Sequence, residues 1–340
     1  MPLWLRQEVP RLPRSRARGL SPVTETLLSI EGLARSFGGR EVIKGVSFQI
    51  QKGQCAGLLG PNGAGKTTIF RMLAGALAPT RGTIRIAGHD LREEASKARR
   101  ALGYMPETGA VYGEMTTLEY LRFRAELSGR CPGSRGRDAA ARRAAELTHV
   151  ADVLSSPLGV LSKGYLQRVM LAAAIVGDPP VLLLDEPTAG LDPNQVLEVR
   201  ALVAELAQTR TIIISTHVLS EVEAVCSHAL ILSEGKLIAS GTISELVRSS
   251  ASSRVKILYL GAPPESLIGW LRENGRFVSD EPSDEGRALV FSESDEVRRQ
   301  EVLRRLLAQG AEVIELSPVR APLEAVFAQL TQASAEGDKP

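Results

Sequence analysis

The stretch GPNGAGKT, which begins at Gly60, has the residue types of a loop that binds phosphate groups. Gly60, Gly63 and Gly65 allow the backbone to curl so that successive N–H groups point at phosphate oxygens, and the N-terminus of a following helix adds partial positive charge. Lys66 can neutralise β- and γ-phosphates, and the Thr67 hydroxyl can bind Mg²⁺. A glycine-rich turn with a solvated lysine is the alternative. The candidate phosphate ligands are Gly60, Pro61, Asn62, Gly63, Ala64, Gly65, Lys66, Thr67 and Thr68.

Two acidic residues follow a short apolar run in VLLLDE, residues 181–186. The run predicts a strand buried on both faces that delivers Asp185 and Glu186 at its carboxyl end, where open α/β sheets bind ligands. Asp185 would then hold Mg²⁺, and Glu186 would polarise a water molecule for attack on the γ-phosphate. An acidic pair that merely ends a strand is the structural alternative.

A histidine follows the apolar run in TIIISTHVLSE. The pattern predicts another buried strand, with His217 just past its carboxyl end. Because parallel strands end at one edge of a sheet, we expect His217 near Glu186, within reach of the γ-phosphate or the attacking water. A histidine at a strand end can also be a capping or core residue.

The elements that position these residues alternate between strands and helices. GQCAGLLG predicts a strand that leads through the phosphate loop into a helix whose apolar residues recur at helical spacing. Helices are predicted near 194–208 and 218–226, and a helical block at about 110–165 contains the polar break SGRCPGSRGRD. Apolar strands that alternate with helices predict an α/β core with a mostly parallel sheet and an inserted helical subdomain.

A second segment begins after the serine-rich stretch LVRSSASSR. Its elements are predicted in the order β-α-β-β-α-β, which is the ferredoxin-like α+β arrangement, and a last helix follows. It carries no catalytic constellation, and three roles stay open: dimerisation or regulation, which we favour, a dock for a membrane protein, or a stabilising cap. The predicted division is a basic extension at 1–26, the α/β domain at 27–248, the accessory domain at 253–332 and a polar tail at 333–340.

Composition narrows the class of protein. The 340 residues carry a net charge of +2 and 4% aromatic residues, so the chain has no global drive toward a polyanion and few rings to stack on nucleic-acid bases. The three cysteines form no CxxC pair, which argues against a disulfide framework or a structural zinc site. No run approaches the length of a membrane span, so we expect that the chain does not cross a membrane by itself and that another chain would have to cross it. The arginine-rich extension at 1–26 would touch lipid headgroups or nucleic acid; the alternative, which we favour, is a disordered extension or one that results from an upstream start codon.

Together these motifs resemble those of one protein family. GPNGAGKTT, LSKGYLQR, LLLDEPTAGLDP and ISTH occur in this order within residues 27–245, and the combination is specific for the nucleotide-binding subunits of ATP-binding cassette (ABC) transporters. The resemblance implies a P-loop NTPase fold, ATP and Mg²⁺ as ligands, ATP hydrolysis and a head-to-tail dimer. Glu186 and His217 would be the catalytic residues.

Further site residues are implied by the resemblance alone. In the family, the loop that corresponds to LSKGYLQR closes on the ATP held by the other subunit, so Ser162 and Gly164 would contact the partner's γ-phosphate. Asp192 resembles the residue that communicates between the two sites. Phe37 stands where family members place an aromatic ring to stack on adenine, and a plain core phenylalanine is the alternative. The implied contacts to the partner's ATP are Ser162, Lys163, Gly164 and Tyr165.

Three positions depart from the family pattern. Lys163 and Tyr165 replace a glycine and the glutamine of the usual LSGGQ loop. Glu107 replaces the glutamine that senses Mg²⁺ and contacts the membrane partner. Glutamate can still bind magnesium through oxygen, so the implied metal ligands are Thr67, Asp185 and Glu107. With these departures, the two segments resemble those of the ATPase subunits that are paired with ABC-2 type permeases. Such subunits include those of gliding-motility, copper-processing and drug or polysaccharide exporters.

The resemblance therefore implies an ATPase subunit that powers export through a separate integral membrane permease. It would be cytoplasmic, peripheral at the inner face of the plasma membrane, and paired with a second ATPase subunit in a homodimer. An ABC ATPase that remodels nucleic acid or ribosomes is the alternative, although such proteins usually carry two fused cassettes or a long coiled-coil insertion. A regulator that binds ATP with little hydrolysis is a third hypothesis. The transported substrate is not specified, because the permease lines its pathway.

Overall fold

The computed structural model describes residues 25–109, 112–250, 254–293, 296–318 and 323–337. The strands are β1 (Thr26–Phe37), β2 (Arg40–Gln51), β3 (Cys55–Leu59), β4 (Arg81–Ile86), β5 (His89–Asp90), β6 (Leu102–Met105), β7 (Val181–Asp185), β8 (Thr211–Thr216), β9 (His228–Ser233), β10 (Lys236–Thr242), β11 (Arg254–Leu260), β12 (Phe277–Ser283), β13 (Gly286–Ser292) and β14 (Glu312–Pro318). The helices are α1 (Lys66–Leu73), α2 (Ala95–Arg100), α3 (Thr117–Ser128), α4 (Gly133–Leu147), α5 (Lys163–Ile175), α6 (Pro193–Ala207), α7 (Leu219–Val225), α8 (Ile243–Ser250), α9 (Glu265–Glu273), α10 (Glu296–Ala308) and α11 (Leu323–Gly337). The predicted basic extension lies outside the described residues except for its last two positions.

A six-stranded sheet forms the centre of the α/β part, in the order β10-β9-β3-β8-β7-β6. Neighbouring strands from β9 to β6 are parallel, and β10 pairs antiparallel with β9. Every residue of β3, β7 and β8 is buried, as expected for strands that are covered on both faces. The carboxyl ends of β3, β6, β7 and β8 therefore meet at one edge. This confirms the predicted α/β fold with a mostly parallel sheet.

The two faces of this sheet are covered by different apolar clusters. Leu182 and Leu184 of β7 pack into the cluster that contains the buried sides of α5 and α6. Val181 and Leu183 of the same strand pack on the opposite side, with α1 and a second, antiparallel sheet of order β2-β1-β4-β5. The alternation of side chains along one strand thus joins the two halves of the core.

The inserted helical region differs from the prediction in two ways, which concern the predicted break and the end of the helical block. The predicted break SGRCPGSRGRD is mostly helical, because α4 begins at Gly133, and the block extends to Ile175 rather than to about 165. Asp138 of α4 accepts a hydrogen bond from Arg122 of α3 (Nε–Oδ1, 2.7 Å) and pairs with Arg142 one turn further on (3.0 Å). These ion pairs favour a helix where glycine and serine predict a loop.

The accessory unit has its own sheet and its own core. The strand order is β12-β13-β11-β14, and every neighbouring pair is antiparallel. Helices α9 and α10 complete the β-α-β-β-α-β order of a ferredoxin-like unit. Val255, Ile257 and Tyr259 of β11 pack against Leu267 and Leu271 of α9 in a cluster separate from those of the α/β part.

Helix α11 leaves the accessory unit and packs on the α/β part. Leu323 and Val326 are fully buried in the cluster that also contains Val222 of α7 and Leu246 of α8. The Leu323 N–H donates to Glu223 Oε1 at 3.0 Å, which fixes the start of the helix. The chain thus returns to its first domain after it has built the second.

The packing of α11 on the α/β part corrects two predicted boundaries, the end of the accessory domain and the start of the polar tail. The accessory domain placed at 253–332 ends at Pro318, the last residue of its sheet. The polar tail placed at 333–340 begins inside α11, which extends to Gly337. Hydrophobic periodicity predicts an amphipathic helix here, but it does not say which surface the apolar face of that helix covers.

The burial of α11 generates the first testable prediction. Leu323→Ala should lower the free energy of unfolding by about 2–5 kcal/mol, because it leaves a cavity in the core of the α/β part. Ile314→Ala, at a residue 47% exposed in β14, is the control and should cost less than about 1 kcal/mol. Both values are measured by chemical denaturation, and equal effects of the two substitutions would contradict the packing of α11 on this core.

Candidate nucleotide-binding site

A cleft of about 420 Å³ lies at the edge of the central sheet where the parallel strands end. It is lined by Val42, Asn62, Gly63, Gly65, Lys66, Thr67, Thr68, Glu107, Glu186, Ala189 and His217. The loops that follow β3, β6, β7 and β8 supply most of this lining. Nine of these lining residues were predicted from the sequence, and Asp185 lies next to Glu186, whereas Phe37, Asp192 and the four residues from Ser162 to Tyr165 are not among the lining.

The phosphate loop has a backbone that only glycine fits. Gly63 and Gly65 have φ angles of +84° and +107°, in the left-handed region that side chains disfavour. A Cβ on Gly65 would lie 2.4 Å from Ile43 Cδ1, and one on Gly60 would lie 2.5 Å from the carbonyl oxygen of Leu232. Helix α1 begins directly after the loop, so its first N–H groups have no partner within the helix and are available to an anion.

Lys66 places a positive charge under the loop. Its Nζ donates to the carbonyl oxygen of Gly60 at 2.7 Å. Burial lowers the pKa of this ammonium, and the carboxylates of Glu186, Asp185 and Glu107 act in the opposite direction. Lys66 therefore interacts favourably with all three carboxylates of the cleft.

Asp185 is buried without a hydrogen-bonding partner. Its side chain ends β7, the residue is 1% exposed, and neither carboxylate oxygen has a partner in the part of the chain that the structure describes. Burial raises the pKa of Asp185 to about 6, and the negative charges of Glu107 and Glu186 add to the rise. The Lys66 ammonium opposes the rise, and so does the nearby Ser215 hydroxyl, although its Oγ and the Asp185 oxygens do not meet hydrogen-bond geometry. A buried carboxylate in this position is suited to a bound cation, because a buried charge needs a partner.

Glu186 and His217 form a pair at the mouth of the cleft. His217 Nδ1 lies 3.0 and 3.1 Å from the two carboxylate oxygens of Glu186. The backbone of Glu186 has a φ of +48°, and its N–H donates to the carbonyl oxygen of Ser215 at 2.9 Å. Such strained backbone is frequent at functional sites. Because Glu186 is buried and His217 is exposed, the carboxylate is oriented from the solvent side by an imidazole.

Two polar residues that support this loop were not singled out by sequence reasoning. Glu221 is buried, accepts a hydrogen bond from Thr216 (2.8 Å) and a shorter one from Thr188. Gln167 is buried in α5 and donates through Nε2 to the carbonyl oxygen of Pro187 at 2.7 Å. Both lie inside motifs already quoted, and their only sequence signal is a polar residue on the apolar side of a helix.

The serine-glycine loop lies outside the cleft of its own chain. Ser162 is exposed and forms the N-cap of α5, where its Oγ accepts from the Tyr165 N–H at 3.3 Å. The Tyr165 hydroxyl donates to Asp152 (2.8 Å), and the Arg168 guanidinium lies 4.4 Å from the centre of its ring. Lys163 is exposed at the first position of the helix. An exposed serine at a free helix N-terminus is suited to an anion that another molecule supplies.

Phe37 and Asp192 also lie outside the cleft. Phe37 ends β1, is 45% exposed, and has the Arg35 guanidinium 4.6 Å from the centre of its ring. Val42, which sequence reasoning did not single out, lines the cleft instead. Asp192 is the N-cap of α6, and its carboxylate accepts from the N–H groups of Asn194 and Gln195, both at 3.0 Å.

The desolvation of Asp185 generates a pH-dependent prediction. In the absence of nucleotide and magnesium, Asp185→Asn should raise the free energy of unfolding by about 1–3 kcal/mol at pH 7.5, because it removes a buried charge whose pKa is raised. A raised pKa in the folded state disfavours folding above that pKa, so the difference should shrink as pH falls from about 6 to about 4. Denaturation at several pH values measures it.

The matched control is Asp178→Asn, since Asp178 is exposed and paired with Arg210 at 2.7 Å. This substitution should change the free energy of unfolding by less than about 1 kcal/mol. An Asp185→Asn variant that is destabilised at pH 7.5 would contradict the account of Asp185 as an uncompensated buried charge.

Comparison with known proteins places this geometry in a family. The family model described as ABC transporter matches residues 43–189. An uncharacterized ABC transporter ATP-binding protein of Bacillus subtilis, YxlF, is 34% identical over 90% of this chain and 100% of its own length. The Nod factor export ATP-binding protein I of Ralstonia nicotianae is 36% identical over 68% of this chain and 72% of its own length.

Solved structures agree with the sequence relatives. An ATP-binding subunit of an ABC transporter superimposes with a TM-score of 0.58 at 32% identity, over 66% of this chain and 93% of that one. A bacterial Atm1-family ABC exporter with ATP bound gives a TM-score of 0.57 at 28% identity, over 68% of this chain and 42% of that one. The chain therefore belongs to the ATP-binding subunits of ABC transporters, the ATPases that work with membrane permease subunits and act as dimers.

Proposed function

We propose that this ATPase binds ATP with Mg²⁺ in the cleft and powers export through a separate permease of the ABC-2 type. The observation that carries the proposal is the Glu186–His217 pair, which faces the phosphate loop across the cleft. A carboxylate held by an imidazole, opposite a lysine and a helix N-terminus, is suited to direct a water molecule at a γ-phosphate.

The chain's own residues divide the work of hydrolysis. The N–H groups of the loop and Lys66 would hold the β- and γ-phosphates and stabilise the charge that develops on them. Glu186 would accept a hydrogen bond from the attacking water, and His217 would keep that carboxylate turned toward the cleft. General-base assistance of this kind contributes about 10²–10⁴-fold to a rate.

The residues of the cleft fit a magnesium ion bound together with nucleotide. Asp185 offers a carboxylate without a partner, Thr67 a hydroxyl in the lining and Glu107 a second carboxylate. Among the described residues, no group of three or more His, Cys, Asp or Glu could hold a metal ion by itself. Phosphate oxygens and water would complete the shell. The cation would neutralise charge on the phosphates.

We further propose that two chains form the complete sites. Ser162, Lys163, Gly164 and Tyr165 lie outside their own cleft, and the exposed start of α5 would contact the partner's γ-phosphate. Asp192, which caps the next helix, would lie at the same interface. The free face of the Phe37 ring, opposite Arg35, would stack on adenine.

The proposals of export and of a position at the membrane rest on the names of relatives and on the helices of this chain. The Ralstonia relative and the Atm1-family structure carry export in their names, which favours transport over the remodelling of nucleic acid. No helix in the described ranges has the length and apolarity to cross a bilayer. A position at the cytoplasmic face, bound to a permease, accounts for an ATPase of this kind. For the accessory unit, we propose a role in dimerisation or regulation.

A cleft lined by arginines is our candidate dock for the permease. It has a volume of about 640 Å³ and lies between α2, β6 and the last turns of α3 and α5. Arg99, Arg100, Arg124 and Arg130 line it, and no carboxylate does. Acidic residues nearby pair with other cations, as Glu126 does with Arg137. We propose that an acidic segment of the permease fills this cleft.

The catalytic assignment is tested by Glu186→Gln. This variant should lose at least about 100-fold in ATP turnover while it still binds ATP, because the amide keeps the shape of the side chain but cannot act as a base. We expect it to accumulate an ATP-bound dimer in size-exclusion chromatography. Glu205→Gln, at an exposed residue of α6, is the control, and turnover by Glu186→Gln near the wild-type rate would refute the assignment.

The docking assignment is tested by reversing two charges of the cleft. Arg99→Glu combined with Arg130→Glu should reduce the membrane protein that co-purifies in mild detergent by about 10-fold or more, because like charges repel across an interface. ATPase activity of the isolated chain should stay within about twofold. Arg85→Glu combined with Arg304→Glu makes the same change in net charge elsewhere, and an equal loss with this control would rule out the cleft.

A further inference from the structure

The start of α5 is joined to the loop that carries Glu186. This loop runs from the end of β7 to the start of α6, through residues 186–192. The catalytic carboxylate is at its beginning, and the cap of α6 is at its end. Helix α5 begins at the exposed Ser162 loop and passes this segment within its first two turns. Two functional features that act on different ATP molecules in our proposed dimer therefore meet within one chain.

Gln167 makes the most direct connection. Its side chain is 7% exposed, and its Nε2 donates to the carbonyl oxygen of Pro187 at 2.7 Å and lies 3.5 Å from that of Glu186. These are the two carbonyl groups that follow the strained φ of +48° at Glu186. A donor that holds both carbonyls limits rotation of the peptide groups that orient the Glu186 side chain.

Three further contacts join the start of α5 to this loop and to helix α6, which follows it. A Cβ on Gly164 would lie 2.7 Å from the amide carbon of Gln195 in α6, so helix and helix approach closely there. The Lys163 ammonium lies directly over Gly190. Arg168, the residue after Gln167, pairs with Glu198 of α6 at 3.7 Å. Such close packing allows little independent movement of the two segments.

This packing has a consequence for two sites at once. Ser162 is five residues from Gln167 on the same helix, and Glu186 is held by the other end of that contact. A movement of the start of α5, on binding or release of the partner's ATP, would therefore also move the peptide groups that orient the Glu186 side chain. Coupling of this kind is reciprocal, because each site shifts the same equilibrium.

We infer that Gln167 is a positioning residue that couples the partner's ATP, gripped at Ser162, to the orientation of Glu186 over the chain's own ATP. This inference rests on the proposed dimer. It assigns Gln167 no contact with ATP or water. The hydrogen bond from Gln167 to the Pro187 carbonyl oxygen orients the Glu186 carboxylate. The position of α5 determines the geometry of that hydrogen bond.

The kinetic test is Gln167→Met, which keeps the length of the side chain and removes the donor. We expect kcat to fall by about 10-fold or more while KM for ATP changes by less than about twofold, because the phosphate loop is untouched. Because the two sites are coupled in this proposal, we expect the Hill coefficient for ATP in steady-state hydrolysis to exceed 1 in the wild type and to fall to about 1 in this variant. Gln54→Met is the matched control, since Gln54 also holds a backbone group through its side chain, at the other end of β3.

A second variant tests the hydrogen bond itself. Gln167→Glu places an isosteric carboxyl beside the two carbonyl oxygens, which repel it when it is ionised and accept from it when it is protonated. The ratio of its kcat to that of Gln167→Met should therefore rise as pH falls from 8 to 6, and this ratio cancels the pH dependence of the rest of the site. A constant ratio would overturn the assigned role of the hydrogen bond.

The outcomes separate this inference from the proposed dimer. If Glu186→Gln forms no ATP-dependent dimer, the dimer proposal fails and the coupling fails with it. If the dimer forms, but Gln167→Met keeps wild-type kcat and Hill coefficient, only the coupling is overturned. If kcat and ATP binding of Gln167→Met fall by the same factor, and Gln54→Met shows an equal fall, the cause is a loss of folded protein. This outcome would also overturn the coupling.

Discussion

The site depends on one electrostatic constraint, which is the concentration of negative charge at the carboxyl edge of the central sheet. Asp185, Glu186 and Glu107 converge there, and the Lys66 ammonium interacts favourably with all three. Burial raises the pKa of the Asp185 carboxyl to about 6, and among the described residues neither of its oxygens has a partner in hydrogen-bond geometry. A cleft with this balance is adapted to a ligand that brings a cation together with phosphates, because the cation offsets the carboxylates and the loop offsets the phosphates.

The fold explains why this charge can be held in place. Three central strands are buried along their whole length, so the residues at their ends cannot withdraw into solvent without disturbing the core. The phosphate loop is equally constrained, because Gly60 and Gly65 lie against Leu232 and Ile43 with no room for a side chain. A rigid apolar sheet thus presents a strained, polar edge. Strain of this kind persists only where the surrounding packing enforces it.

The contacts of α5 connect this edge to the surface where a second subunit would bind. Gln167 holds the loop after β7, while Ser162 at the start of the same helix remains exposed. The departure Lys163 belongs to this connection, because its ammonium lies over Gly190 rather than in solvent alone. In the proposed dimer, gripping one nucleotide and hydrolysing another would therefore depend on a single packed unit within each chain.

Sequence alone determined the α/β class, the phosphate loop, the acidic strand end and the histidine, since each of these depends on local residue types and on the rule that parallel strands end together. It also indicated the ferredoxin-like element order, because that order is written in short alternating segments. Tertiary structure decided what local patterns cannot encode. The return of α11 to the first domain depends on which apolar face it finds, and the roles of Gln167 and Glu221 depend on which backbone and side-chain groups they meet. The start of α4 at Gly133, within the predicted break, is accompanied by the pairing of Asp138 with Arg122 of another helix. These are contacts between residues distant in the chain, and their free energy appears only when the fold brings them together.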